Sequence, residues 1–77
     1  MFPIFVKTLT GETLTIDVCA DYDVEYIKEV IEEKLGIFVE QQRLIWAGRE
    51  IFYGTICSQN IAKESTLHVI FRFRGGD

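Results

Sequence analysis

The fold is decided by residues 13–36, TLTIDVCADYDVEYIKEVIEEKLG, in which the apolar spacing changes from that of a strand to that of a helix. Up to Val18, apolar residues alternate with polar ones, as on a strand with one buried face. After Asp23, a good N-cap residue, the apolar residues recur at helical spacing until Gly36, which is a stop signal. This stretch therefore predicts a strand followed by one amphipathic helix over residues 24–35.

The flanking sequence supplies the other strands of the predicted sheet. Alternation over residues 2–8 and the turn Leu9–Gly11 predict a hairpin with the strand already described. Further strands are predicted at residues 44–46, before an Ala-Gly turn, and in the alternating stretch 66–73, whereas residues 51–63 show no period and are predicted as a loop with one helical turn. The order of elements indicates an α+β fold in which a mixed sheet packs on one helix.

The length and charge of the chain limit its function class. Its 77 residues fit one domain, which we place at residues 1–71, followed by a flexible tail at residues 72–77. The net charge of −4 argues against a general nucleic-acid binder. Residues 1–40 carry three lysines against nine acids, whereas residues 41–77 carry five bases against three acids, which favours acidic partners for the second half. No signal peptide or membrane span is visible, so cytoplasm and nucleus are the expected locations.

The sequence gives little support to catalysis or metal binding. A thiol nucleophile would need Cys19 or Cys57 close to His68, and no orienting acid or oxyanion motif accompanies them. One histidine and two distant cysteines do not form a metal-ligand pattern, and no phosphate-binding glycine motif is present. We therefore expect no enzyme activity, no metal, no cofactor and two reduced thiols.

Two features allow both a structural and a functional interpretation. Ile45, His68 and Ile70 are predicted to face outward and Leu9 lies at a loop tip, so they form either a contiguous interaction patch or core and isolated surface residues. The ending FRFRGGD, residues 71–77, is either a frayed terminus or an extended segment that enters a narrow active-site cleft of an enzyme. The second interpretation rests on the two glycines, which have no side chain. Spacing alone does not decide between these interpretations.

Four motifs resemble the ubiquitin family, and the resemblance covers essentially the whole chain. They are IFVKTLTG at 4–11, QQRLI at 41–45, KESTLH at 63–68 and R-x-RGG at 72–76. The resemblance implies the β-grasp fold. It also implies that an activating enzyme adenylates Gly76, takes it up as a thioester and passes it on until it forms an amide with a lysine. Asp77 would first be removed by a processing hydrolase, and Arg72, Arg74 and Gly75 would be recognised by the activating enzyme.

The same resemblance implies surface sites. The patch read by ubiquitin-binding domains would be formed by Leu9, Ile45, Gly48, His68 and Ile70. A second, smaller patch would comprise Ile37, Phe71 and Phe73 beside Leu9. Chain-acceptor lysines would be Lys7, Lys28, Lys34 and Lys63, whereas the position most used for degradation-type chains is Arg49, which remains protonated and accepts no acyl group.

The chain also departs from the family pattern. Pro3 stands within the first strand, so we expect either a lost hydrogen bond or a bulge. Tyr53 replaces the acidic partner of Lys28, so that lysine is expected to find another acid or to turn outward. Trp46 is expected in the core as an enlarged residue.

Two functions from different classes follow. The first is a ubiquitin-like modifier, expected to be a monomer, whose partners are activating and conjugating enzymes, deubiquitinating hydrolases and ubiquitin-binding domains. The second is a non-covalent binding module or decoy, natural or engineered, that presents the Leu9, Ile45, His68 and Ile70 surface without being conjugated. Neither function involves nucleic acid or membrane.

Overall fold

The computed structural model describes residues 1–71, which form a five-stranded mixed sheet with one α-helix packed against it. This architecture confirms the α+β, β-grasp prediction. In chain order the elements are β1 (Phe2–Thr8), β2 (Thr13–Val18), α1 (Val24–Leu35), a short 3-10 helix (Val39–Gln41), β3 (Gln42–Trp46), β4 (Arg49–Ile51) and β5 (Thr66–Phe71).

The strands lie in the order β2-β1-β5-β3-β4. β1 and β5 are parallel at the centre of the sheet, and the other three pairs are antiparallel. Because side chains alternate between the two faces of a strand, one face of the sheet covers the core and the other faces outward.

The core lies between the sheet and α1. The helix contributes Val24, Ile27 and Ile31, all of which are buried, at the spacing predicted from the sequence. The strands and the loop before β5 complete the core with Ile4, Val6, Ile16, Val18, Leu44, Ile51, Ile56, Ile61, Leu67 and Val69. These branched side chains fill a single cluster, which fixes the positions of the outward-facing residues on the same strands.

Trp46 departs from the prediction, because it is only half-buried at the margin of the core. Its indole Nε1 donates a hydrogen bond to the carbonyl of Gln59 at 2.8 Å. An indole N–H needs a partner when it is buried, and a position at the core edge provides one. Trp46 therefore ties β3 to the loop before β5 and does not enlarge the centre of the core.

The ends of α1 lie where the sequence placed them, although the N-cap works differently from the prediction. Asp23 has the extended backbone of an N-cap residue, but its side chain makes no capping hydrogen bond. Its backbone instead forms an isolated bridge with Thr55. At the C-terminus Gly36 adopts a left-handed φ of 75°, and its N–H donates to the carbonyl of Glu32 at 2.8 Å, as predicted for a glycine stop.

The elements that the sequence did not predict are short. β4 has three residues, which is too few to display alternation, and the 3-10 helix at Val39–Gln41 also has three. Residues 52–63 contain turns but no regular helix, which agrees with the predicted loop that holds one helical turn. The i to i−4 bond from the Gln59 N–H to the Thr55 carbonyl, at 3.1 Å, is a single turn that does not continue.

Pro3 is accommodated without a bulge. Its register partner is Asp17, and the pairs on either side of it continue one to one. The carbonyl of Pro3 accepts a hydrogen bond from Glu64, just before β5 begins at Thr66. Because the N–H and carbonyl of a strand residue point the same way, the missing donor of Pro3 lies on that side, and the hairpin with β2 keeps its bonds.

Candidate functional site

The candidate recognition surface is the outward face of β3 and β5. These strands pair antiparallel, and Ile45 lies directly opposite His68 while Arg43 lies opposite Ile70. Their neighbours on the other face, among them Leu44 and Val69, are buried in the core. The register therefore brings Ile45, His68 and Ile70 together on one surface, which we call the sheet face.

The sheet face is amphipathic and accessible. His68 is exposed, and Ile45 and Ile70 are half-buried, so each isoleucine offers part of its side chain to a partner. Lys7 on β1 is the register partner of His68 on the side away from Ile45, and it is also exposed. The sheet face thus has an apolar centre with the basic side chain of Lys7 beside it, an arrangement that is usual in binding patches.

The charges around the sheet face are held loosely. Arg43 and Glu50 form an ion pair of 3.9 Å, and no other ion pair is present within residues 1–71. The Arg43 side chain is 44% exposed and that of Glu50 is 24% exposed, so the pair contributes little to folding stability. The Arg43 guanidinium is therefore free to exchange Glu50 for a carboxylate of a partner.

Leu9 and Gly48 border the sheet face on two turns. Leu9 follows β1 and is 76% exposed, and it comes directly after Thr8, the register partner of Val69. Gly48 lies in the turn between β3 and β4, where φ is 56° at Ala47 and 83° at Gly48. Two successive positive φ values define the two-residue hairpin turn that glycine favours, which fixes Gly48 at the rim of the surface.

The second predicted patch is only partly covered by the structure. Ile37 is half-buried, and its carbonyl accepts a hydrogen bond of 3.0 Å from the side chain of Gln42. Gln42 is in turn the register partner of Phe71, which packs partly buried against the core. Ile37 and Phe71 therefore border the same buried glutamine, and Phe73 lies outside the described residues.

The predicted acceptor lysines differ in accessibility. Lys7, Lys34 and Lys63 are exposed, whereas Lys28 is half-buried. Lys28 has no carboxylate within ion-pair distance in the part of the chain that the structure describes, so the expected replacement acid is not found. Arg49, at the start of β4, is exposed, which leaves a guanidinium where an amine would be needed.

The conjugation segment lies beyond the structural description. Arg72, Arg74, Gly75, Gly76 and Asp77 fall outside residues 1–71, and their predicted roles remain predictions.

Both cysteines are free thiols, and their chain segments lie next to each other. The N–H of Cys57 donates to the carbonyl of Ala20, the residue after Cys19, at 2.8 Å. No group of three potential metal ligands occurs among residues 1–71. Within the same residues, no helix is long and apolar enough to cross a membrane.

Sequence reasoning missed a cluster of aromatic residues at the start of α1. Tyr22 and Tyr26 have ring centroids 4.7 Å apart in an edge-on arrangement. Partial burial raises the pKa of the Tyr22 phenol above its ordinary value, and the neighbouring Cys19 thiol raises it further. The i, i+4 spacing of the two tyrosines was a visible signal, but their proximity to residues 52–54 was not.

Comparison with known proteins agrees with this fold. The family model described as the ubiquitin family matches residues 4–74. The chain is similar to the ubiquitin-like protein NEDD8 of Dictyostelium discoideum, with 42% identity over 72 residues, 92% of this chain and 94% of that protein. It is similar to the NEDD8-like protein RUB1 of Saccharomyces cerevisiae, with 38% identity over 94% of this chain and 95% of that protein.

A third relative shows the same unit inside a larger protein. The chain is 35% identical over 68 residues to the E3 ubiquitin-protein ligase parkin of Drosophila melanogaster, a match covering 87% of this chain and 14% of that protein. The family match over nearly the whole chain, the mixed sheet on one helix and the identity to full-length relatives lead to one conclusion. The chain belongs to the ubiquitin family.

Proposed function

We propose that the protein is a ubiquitin-like modifier, which is joined through Gly76 to lysine amines after Asp77 has been removed. The observation that carries the proposal is the placement of Ile45, His68 and Ile70 on one accessible face, with β5 running from this face to residue 71. The family match also extends to residue 74 and so includes Arg72 and Arg74. β5 thus carries part of the proposed recognition surface, and the proposed reactive end follows it in the sequence.

The chemistry of conjugation is supplied by other enzymes. Hydrolysis of the Gly76–Asp77 peptide bond releases aspartate and leaves a carboxylate on Gly76. This carboxylate attacks the α-phosphate of ATP and releases pyrophosphate, and an enzyme thiol then displaces AMP to form a thioester. A lysine amine finally displaces the thiol, so the net result is an isopeptide bond. Glycine suits each acyl transfer because it has no side chain to hinder the attacking group.

The activation step is tested with two forms of the chain, one ending at Gly76 and one retaining Asp77. Each form is incubated with ubiquitin-activating enzyme and ATP and then separated on a non-reducing gel. The form ending at Gly76 is expected to give an adduct that a thiol reductant removes, whereas the Asp77 form gives none until a ubiquitin hydrolase is added. Absence of the adduct from the Gly76 form, with ubiquitin itself reacting in parallel, would remove the conjugation proposal.

The recognition step is tested on the sheet face. Replacing Ile45 with alanine removes most of an apolar side chain from the centre of the proposed contact, and we expect binding to a ubiquitin-binding domain to weaken about tenfold. Thr15→Ala is a matched control, because Thr15 is exposed on the same side of the sheet but on the distant edge strand β2. Equal affinities for the Ile45 and Thr15 variants would place recognition elsewhere.

A second candidate function is a non-covalent binding module or decoy. Two residues favour it. Arg49 cannot accept a further modifier in a chain, and Phe38, which is 62% exposed, offers an additional apolar contact to a partner. The match to a small part of parkin is consistent with a module that acts without being conjugated. A chain that binds through the sheet face but gives no thioester would support this function over the first.

A further inference from the structure

The start of α1 and the segment after β4 form a surface of exposed aromatic residues. Phe52 is 66% exposed, Tyr53 is 78% exposed, and Tyr26 also reaches the solvent. Large apolar side chains that face water together are typical of an interaction site. These residues lie apart from Ile45, His68 and Ile70 and take no part in the function proposed above.

Two adjoining hollows run along this surface. The first, of about 290 Å³, is lined by Tyr22, Asp23, Glu25, Tyr26 and Glu29. The second, of about 220 Å³, shares Asp23 and Glu25 and is completed by Val24, Phe52, Tyr53 and Gly54. Because they share residues, the hollows form one continuous surface, which we call the helix-start groove.

The helix-start groove is held in place by backbone hydrogen bonds between its two sides. The Val24 N–H donates to the carbonyl of Gly54 at 2.9 Å, and the Ile56 N–H donates to the carbonyl of Tyr22 at 2.8 Å. The side-chain amide of Gln59 donates to the carbonyl of Tyr53 at 2.8 Å. The groove is therefore formed before any partner arrives, which lowers the entropy lost on binding.

The charge of the groove selects the partner. Asp23, Glu25 and Glu29 line the two hollows, and no lysine or arginine among residues 1–71 lines either of them. Arg49 lines a third hollow of about 130 Å³ together with Glu50, and Phe52 and Tyr53 line this hollow as well. A cationic segment would therefore be attracted along the first two hollows.

The combination of aromatic rings and carboxylates favours arginine over lysine. A guanidinium is planar, stacks on aromatic faces and binds a carboxylate through two parallel hydrogen bonds, whereas an ammonium is a strongly hydrated point charge. We propose that the helix-start groove binds an extended arginine-bearing segment of a partner protein, with guanidinium groups stacked on Phe52 and Tyr53 and paired with Asp23 and Glu25.

This site and the sheet face lie on different parts of the molecule. The sheet face is formed by the outward side of β3 and β5, whereas the helix-start groove begins with α1, which packs on the opposite side of the sheet. The protein can therefore bind a second partner while its sheet face is occupied. The proposal is independent of conjugation, and its test requires no activating enzyme.

The test uses the full chain labelled with nitrogen-15 and three ten-residue peptides in which glycine alternates with arginine, lysine or citrulline. Citrulline has nearly the shape of arginine without its charge. The arginine peptide is expected to shift the amide signals of residues 22–29 and 52–54. It should bind roughly threefold or more tightly than the lysine peptide, because of the added stacking. Citrulline should bind weakest, and salt should weaken the arginine peptide.

Matched variants separate the aromatic contribution from simple attraction between charges. The double variant Phe52→Ser and Tyr53→Ser should weaken the arginine peptide roughly tenfold. Phe38→Ser, at a residue that is 62% exposed but outside the groove, should leave it unchanged. A second pair, Glu25→Gln against Glu33→Gln, compares exposed helix carboxylates inside and outside the groove and provides a test that needs no aromatic change.

Three results would overturn the proposal. One is equal binding of the arginine and lysine peptides with no effect of the double variant, since that describes non-specific attraction. Another is a set of shifted signals that lies on the sheet face. The third is a shift of the amide signals of residues 22–29 that grows with protein concentration in the absence of peptide and disappears when residues 72–77 are removed. In that case the groove would bind a second copy of the chain.

Discussion

Gln42 offers a demanding test of the packing beneath the second predicted patch. Its side chain is 3% exposed, and its Nε2 donates to the carbonyls of Lys28 at 2.9 Å and Ile37 at 3.0 Å. This one amide thereby connects β3 with α1 and with the segment that follows the helix. Its Oε1 is buried and has no hydrogen-bond donor among residues 1–71.

The substitution Gln42→Glu keeps the size of the side chain but replaces the amide donor with an acid. When the acid is ionised, the oxygen that replaces Nε2 faces the carbonyls of Lys28 and Ile37, and neither carboxylate oxygen has a donor among residues 1–71. When it is protonated, its one O–H can still donate to one of these carbonyls. At low pH the variant therefore loses one hydrogen bond, which costs about 1 kcal/mol.

The penalty at neutral pH is larger and has a defined direction. Burial disfavours the charged form, so the pKa of the introduced glutamate rises by about 3 units above its unfolded value of about 4.3. The loss of unfolding free energy that results from this raised pKa is absent below the unfolded pKa. It grows by about 1.4 kcal/mol per pH unit above that value and levels off near the folded pKa. It therefore adds about 3 to 4 kcal/mol at pH 7, against a total stability of roughly 4 to 12 kcal/mol for a domain of this size.

The assay is urea unfolding of the variant and the parent chain, followed by the fluorescence of Trp46, the single tryptophan. The difference in unfolding free energy between the two chains is measured at about pH 4.5 and about pH 7, and it should increase by about 3 kcal/mol over that range. Gln41→Glu is the control, because Gln41 is only half-buried and should show little change. An equal loss at both pH values would refute the assigned burial of Gln42 and its role as a donor.

Three further predictions follow from the described residues. Arg49→Lys should allow chain extension through residue 49, which linkage mapping by mass spectrometry would detect, and an isopeptide bond at 49 in the parent chain would contradict the assignment. Gly54→Ala should lower the free energy of unfolding by about 2 kcal/mol, because φ is 100° and a Cβ atom would lie 2.7 Å from the Oγ of Ser58. Gly11→Ala, with open space around an equally positive φ, should cost less, and equal losses would refute the steric argument. Burial raises the pKa of the Tyr22 phenol in the folded state. The stability that the neutral phenol contributes is therefore complete below about pH 10 and is lost as the pH rises through the folded pKa. In urea titrations at alkaline pH, Tyr22→Phe should accordingly lose less stability with rising pH than the parent chain.

The sequence predicted the long elements because their hydrophobic period repeats several times. β1, β2, α1 and β5 each have at least six residues, and their bounds match the predictions within a few residues. β4, with three residues, has no period to detect, and its pairing with β3 depends on the turn at Ala47 and Gly48. Short elements of this kind are specified by turn geometry and tertiary pairing more than by pattern.

The sheet face was predicted only as one of two alternatives. Alternation predicted that His68 and Ile70 face outward, but it could not show whether they join Ile45 in one contiguous patch. The register between β3 and β5 decides this, because it puts Ile45 opposite His68 while Leu44 and Val69 fill the core. His68 and Ile70 are close in sequence, but Ile45 joins them only through this long-range strand pairing.

The helix-start groove could not be predicted from the sequence. Tyr22 and Tyr26 are separated from Phe52 and Tyr53 by β3, β4 and the segment before them. Their proximity follows from backbone bonds such as that between Val24 and Gly54. Exposed aromatic residues in turn segments give no periodic signal in the sequence. Their position beside the carboxylates of α1 is therefore seen only in the tertiary structure.

The most direct test of the proposed modifier function is transfer to a lysine in a reconstituted reaction. The chain ending at Gly76 is incubated with activating enzyme, conjugating enzyme, ATP and a lysine-bearing substrate, without ubiquitin. The substrate is expected to gain the mass of the chain less one water, and digestion with trypsin, which cuts after Arg74, should leave Gly75–Gly76 on a lysine. An unmodified substrate, in conditions where ubiquitin is transferred to the same lysine, would contradict the account.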